Sequence, residues 1–213
     1  MPWQRDTEER RYYSTEEEAY MARAKVVDYR DRIVATAGPV TDTLGMLTVE
    51  GPLSPQDWRH MMREEIKREY INQYLLGIGG RDQMTFEDWG RIGGMLKEQY
   101  GHLDKFYDQI VAGKLSDAQV GARSRMYSAS AREAFERANG QAWGDPPLPA
   151  YPGDGKVCAG LTNCACSWEI VSVKVVKEET QWTCYWRLGF VKTEHCEACE
   201  NAASEWNPLI AAA

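Results

Sequence analysis

Six cysteines stand at positions 158, 164, 166, 184, 196 and 199, and the 157 residues before them carry none. This clustering constrains the fold of the last quarter of the chain. Secreted disulfide scaffolds usually spread their bridges through the chain, and the charged N-terminus (MPWQRDTEERRYY) lacks the apolar run of a secretory signal. Thiols crowded into one short segment of a cytosolically made protein point to metal ligation instead. Cys158 is followed by Cys164-x-Cys166, and 29 residues separate Cys166 from Cys196-x-x-Cys199, with His195 just ahead of that pair.

A C-x-x-C at a loop-to-helix corner can aim two sulfurs at one ion, and Cys164 and Cys166, two apart, share a face if extended. The expected ligand set is therefore Cys164, Cys166, Cys196 and Cys199 around a structural Zn2+, with Cys158 and His195 as reserve candidates. Reduced core thiols and disulfides are the competing readings. Cys184 lies in an apolar stretch between Trp182 and Trp186 and reads as a small buried hydrophobe. His195-Cys196-Glu197 resembles the H-x-E of zinc deaminases, but the P-C-x-x-C that must follow does not, so no catalytic role is expected. His60 and His102 read as surface or hydrogen-bond-satisfied side chains. The three tryptophans Trp168, Trp182 and Trp186 read as core rather than as a nucleic-acid stacking platform, because the segment carries few basic residues.

Between the two cysteine pairs, residues 168–175 and 182–188 are rich in β-branched and aromatic side chains and read as a hairpin. A short helix over about 197–206 follows. A module this small has little core, so a bound metal would contribute folding free energy directly. The proline-rich run Asp145–Asp154 precedes it and marks a boundary near residue 145.

Upstream the texture is helical. Ser14-Thr-Glu-Glu17 reads as a capping box opening a helix to about Ile33, with Glu16, Glu17 and Glu18 in its solvated first turn. A break over 36–55 follows. Ser54-Pro55 starts a second helix with Trp58, Met62, Ile66 and Tyr70 on its buried face, ending near Leu76. Thr85-Phe-Glu-Asp88 starts a third, with Trp89, Leu96, Tyr100, Leu103, Phe106 and Ile110 inward, and with Gly90, Gly93 and Gly94 suggesting close backbone packing or a later helix start. Ser116 and Gln119 box a fourth, running to Asn139-Gly140, whose small face is Ala118, Ala122, Met126 and Ala129. The expected class is α+β: an N-terminal helix and extended arm (1–50), a helical domain (51–144) and a cysteine-rich, zinc-stabilised β-hairpin module with a short C-terminal helix (145–213).

Net charge is −7, which argues against a freely sliding DNA binder. No stretch approaches the roughly 18 apolar residues of a membrane span.

The run Leu148-Pro-Ala-Tyr-Pro-Gly-Asp-Gly155, then Cys158, then Asn163-Cys-Ala-Cys-Ser-Trp168, resembles the minor head, or head-morphogenesis, proteins of tailed bacteriophages (the phage Mu F-like family). Tyr185-Trp186, Glu194-His-Cys-Glu-Ala-Cys199 and Trp206-Asn-Pro208 are similar to the same relatives. Ala165 stands where an arginine is usual, and many members carry the two cysteine pairs in the opposite order. Upstream, Gly79-Gly80, Gln99-Tyr100, Leu103, Phe106, Leu115-Ser116, Arg123 and Tyr127 extend the likeness. The resemblance implies a structural virion protein made in the host cytoplasm. It would act in head assembly through portal, major capsid protein or packaged DNA, free or as a homo-oligomer. The alternative is a zinc-ribbon adaptor or nucleic-acid-binding regulator without a virion role.

Overall fold

The computed structural model describes residues 3–153, 164–189 and 195–213. It is a mixed helix-and-sheet protein with two small antiparallel sheets flanking a helical layer. The chain opens with strands β1 (Trp3–Asp6), β2 (Arg11–Ser14) and β3 (Ala19–Tyr20), paired in that order. Helices α1 (Arg23–Val49), α2 (Pro55–Ile78), α3 (Phe86–Val111), α4 (Asp117–Ser130) and α5 (Arg132–Ala142) follow. The C-terminal part holds β4 (Ser167–Val176), β5 (Glu179–Arg187), α6 (Glu197–Glu205) and β6 (Leu209–Ala212), with sheet order β4-β5-β6.

Helix α2 is the centre of the helical layer and packs against α1, α3 and α5, while α1 runs along α4. Its fourfold stripe is buried as the spacing requires: Trp58, Met62, Ile66 and Tyr70 are at most 1% exposed. They join Leu103 and Phe106 of α3, where Trp58 meets Phe106 edge-on at 5.3 Å. Ser54 caps α2 by accepting from the Asp57 amide, with Pro55 at the first turn. Thr85/Asp88 and Ser116/Gln119 form reciprocal boxes at the starts of α3 and α4, satisfying amides that a helix N-terminus otherwise leaves unpaired.

The N-terminus departs from expectation. Ser14 Oγ does accept from the Glu17 amide, but in the turn joining β2 to β3, so Glu16–Glu18 lie exposed on a hairpin rather than in a helix. The same three-residue hydrogen bond serves an N-cap and a tight turn. What decides is alternation: Trp3 and Arg5 on β1, and Tyr12 and Ser14 on β2, are buried, and Trp3 and Tyr12 pack with Val26, Leu76 and Phe135. The Tyr12 hydroxyl lies 2.5 and 2.8 Å from the Leu76 and Gly77 carbonyls and donates to this C-terminal end of α2. The expected break over 36–55 shrinks to residues 50–54, because 36–49 form the last half of α1, which carries the exposed Pro39 within it.

Two helix faces are also corrected. In α4, Ala118, Ala122 and Met126 are exposed, and the close-packed face is Val120, Gly121, Ser124, Tyr127 and Ser128 against α1. The helix then breaks at Ala131, and Gly140 lies inside α5. In α3, Trp89 is 40% exposed and Ile92 takes the inward position. Nothing lies within 4 Å of where a Cβ would stand on Gly90, Gly93 or Gly94, so these glycines face open space.

Candidate metal centre

Strands β4 and β5 pair from Ser167↔Arg187 to Val176↔Glu179, and the Lys177–Glu178 turn has both residues at positive φ. Two primed-type residues match the right-handed twist of a tight hairpin. Trp182, Cys184 and Trp186 alternate inward along β5 and, with Trp168 of β4, form the module core. Trp206, just past α6, completes it by stacking on Trp168 at 5.5 Å, while Trp168 and Trp186 meet edge-on at 5.2 Å.

The cysteine group sits at the open end of this hairpin. Cys164 and Cys166 lead into β4, and Cys199 lies in the first turn of α6. Their sulfurs all lie within 4.8 Å of one another. Cys164 Sγ and Cys199 Sγ are 3.8 Å apart, well beyond the roughly 2.05 Å of a disulfide. The three are 8%, 2% and 1% exposed, so this is a buried thiol group that could hold a metal ion. Cys196 is the N-cap residue of α6 and half-buried against the same apolar cluster; its carbonyl accepts from the Cys199 amide at 2.9 Å. It is not among the three mutually close sulfurs. His195 precedes it, half-buried, and Cys158 lies outside the described residues. Cys184 is fully buried in the tryptophan core, and burial pushes its thiol up to about 11.

Side chains from the helical layer hold the Cys164–Cys166 turn in place. Arg30 of α1 is 0% exposed. It donates to the Ala165 carbonyl at 2.8 Å, to the Cys166 carbonyl at 3.1 Å and to Glu136 of α5 at 2.8 Å. Glu136 in turn accepts from the Trp168 amide at 3.0 Å. Desolvation drives the Glu136 carboxyl upward, and the Arg30 charge opposes it. Arg132 of α5 bonds Asp31 at 3.0 Å; burial lowers its guanidinium, while the Asp31 carboxylate and the nearby Cys164 thiol pull it back. Gly189, past β5, passes so close to Ala165 that a Cβ there would stand 2.8 Å from the alanine Cβ. The module therefore rests on the helical layer through the buried Arg30–Glu136 pair with the Ala165 and Cys166 carbonyls, and through Arg23 of α1, which bonds Ser167 and the Trp168 carbonyl.

Cys164, Cys166 and Cys199 were legible from spacing, but Arg30 and Glu136 were not. They come from helices 106 residues apart, and an arginine in a charge-rich helix reads as a surface residue. His60 and His102 are exposed. The chain matches no protein-family model, no curated protein and no solved structure.

Proposed function

We propose that this chain is a non-enzymatic structural protein whose C-terminal module is stapled by one zinc ion, and that it serves as a minor head protein of a tailed bacteriophage. The observation that carries the metal reading is the convergence of three buried sulfurs from segments that enter and leave one hairpin at its open end. Four thiolates at about 2.3 Å from a tetrahedral zinc stand about 3.8 Å from each other, the separation of Cys164 and Cys199. Cys196 would be the fourth ligand, since it begins the helical turn that carries Cys199. Zinc would supply cross-linking alone: a closed four-thiolate shell leaves no position for water or substrate. Such a centre carries two net negative charges, which the nearby Arg132 and the Arg30 fork would offset.

The virion role rests on the sequence resemblance around Asn163-Cys-Ala-Cys-Ser-Trp168 and Glu194-His-Cys-Glu-Ala-Cys199. A rigid module wedged on a helical layer suits a protein that works by presenting surfaces to portal or capsid subunits. Its acidic charge favours protein partners over extended DNA contact.

The test has two arms. Full-length protein purified under reducing conditions should contain one zinc per chain, and cobalt substitution should give a tetrahedral four-thiolate spectrum; Cys184→Ala should keep the metal. Metal-free protein whose module is unchanged by chelator overturns the zinc reading. Particles produced by the phage should contain the chain at low copy number by mass spectrometry, and its absence from purified particles overturns the virion reading.

A further inference from the structure

A second cluster of charge lies away from the cysteines, where the N-terminal sheet meets the end of α5. Arg5 of β1 is 7% exposed. Its stem lies over Gly79, a left-handed residue (φ 106°) just after α2, where a Cβ would come within 2.3 Å of the Arg5 Cβ. Its amide donates to the Gly79 carbonyl at 3.2 Å, so the backbone fixes where this side chain enters. The guanidinium carbon stands 5.7 Å from the Trp143 ring centre and 6.0 Å from that of Tyr12. Arg10 follows in the β1–β2 turn, held at φ 53°, and its guanidinium lies 5.4 Å from the same Trp143 ring.

Two cations thus converge on one indole, and among the described residues no carboxylate is bonded to either. Cation–π contact uses the face of a guanidinium; its N–H groups lie in the plane and still need acceptors. Arg5 Nε and Nη2 and Arg10 Nη1 are all buried without a hydrogen-bond partner among the described residues. Nε and Nη2 form one edge of the planar fork, spaced to match two oxygens of one anion. Two acids line the adjoining cleft: Glu169, already engaged by Arg187 at 2.6 Å and Arg23 at 3.8 Å, and Glu9, exposed in the turn beside Arg10. That cleft, of about 360 Å³, is lined by Arg10, Tyr12, Asn139 and Trp143 among others, so an anion entering it meets Arg10 and the ring that Arg5 also faces. Leaving buried charged donors unpaired is costly, which makes the pair a poor device for stability alone.

We propose that Arg5 and Arg10, gathered on Trp143, bind a phosphate group. A dianion neutralises both guanidiniums, and a tetrahedral group offers more than the two oxygens of a carboxylate to three separate N–H donors. The phosphate comes either as a free small anion or on a nucleic-acid backbone, and the chemistry at the arginines is the same.

Thermal melting of the full chain tests this, with inorganic phosphate titrated into chloride buffer at constant ionic strength. The wild type should show a saturable rise in Tm. Arg10→Gln, at a half-buried turn position, should weaken the apparent affinity at least tenfold, and the remote, exposed Lys114→Gln should leave it unchanged. Arg5→Met should lose the response while melting no lower than wild type in phosphate-free buffer, because it removes an unpaired buried charge. Competition by a mixed-sequence oligonucleotide assigns the group to a nucleic-acid backbone; phosphate binding without that competition assigns it to a free anion. The proposal falls if chloride at matched ionic strength gives the same rise, or if Arg10→Gln responds like wild type.

Discussion

The helical layer and the C-terminal module bury their apolar residues by different means. In the layer, Trp58, Met62, Ile66 and Tyr70 of α2 meet Leu103 and Phe106 of α3 and Ala134 and Ala138 of α5, a continuous seam several turns long. In the module, three tryptophans and Cys184 fill a small core, and the thiols Cys164, Cys166 and Cys199 close its open end. A seam of that length stabilises itself, since each added turn buries more side chains for one more helical segment. A three-stranded sheet with one short helix has too little interior for that. The difference predicts two separable unfolding events, one sensitive to thiol chemistry and one indifferent to it.

The largest expected effect is on the module. Cys199→Ser, or prolonged chelation, should abolish its near-ultraviolet tryptophan circular dichroism while the helical far-ultraviolet signal largely persists. Equal stability of mutant and wild type would mean the sulfurs carry no ligand role. Next comes the junction. Arg30→Met leaves Glu136 buried without its charge partner and should cost about 3–5 kcal/mol, shifting the module transition in urea most. Because α1 and α5 also carry the pair, a single merged transition in this variant would break the two-unit picture.

A smaller, pH-dependent effect belongs to the layer alone. Glu69 of α2 is buried beside Glu65, one of its oxygens has no hydrogen-bond partner, and burial raises its carboxyl to about 7. The folded chain thus holds this proton at pH values where the unfolded chain, titrating near 4.5, has released it. The group's contribution is full below about 4.5 and declines as pH rises to about 7. Glu69→Gln should therefore stabilise by roughly 2–3 kcal/mol at pH 8 and by almost nothing at pH 4, read from urea midpoints at both pH values. The smallest effect is at α3: Gly93→Ala, with open space around it, should stabilise by about 0.5–1 kcal/mol. A loss of stability there would restore the close packing that its spacing suggested.

Much of the architecture was readable wherever a local rule had no competitor. Ser54-Pro55, Thr85-x-x-Asp88 and Ser116-x-x-Gln119 begin helices because each pairs a side-chain acceptor with an orphan amide, a chemistry confined to a few residues. The stripe from Trp58 to Tyr70 and the alternation of Trp182, Cys184 and Trp186 name their buried faces for the same reason. Ser14-Glu17 misleads because its hydrogen bond forms equally well in a turn, and Trp3 and Tyr12 settle the matter only by finding Leu76 and Phe135. Strand β6 was invisible as well: Leu209–Ala212 has no pattern of its own and exists as a strand because β5 offers it an edge.

By itself, then, the amino-acid sequence determined the helices that begin at Ser54, Thr85 and Ser116, a hairpin bounded by cysteine pairs, and the residue types able to grip a metal. Those follow from spacing along the chain, which covalent geometry preserves. Only the tertiary structure decided that Cys164, Cys166 and Cys199 meet, that Arg30 and Glu136 clamp the turn between them, and that two arginines share Trp143. Each depends on segments far apart in the chain being brought together by burial, and no local pattern records which distant surface a side chain will face.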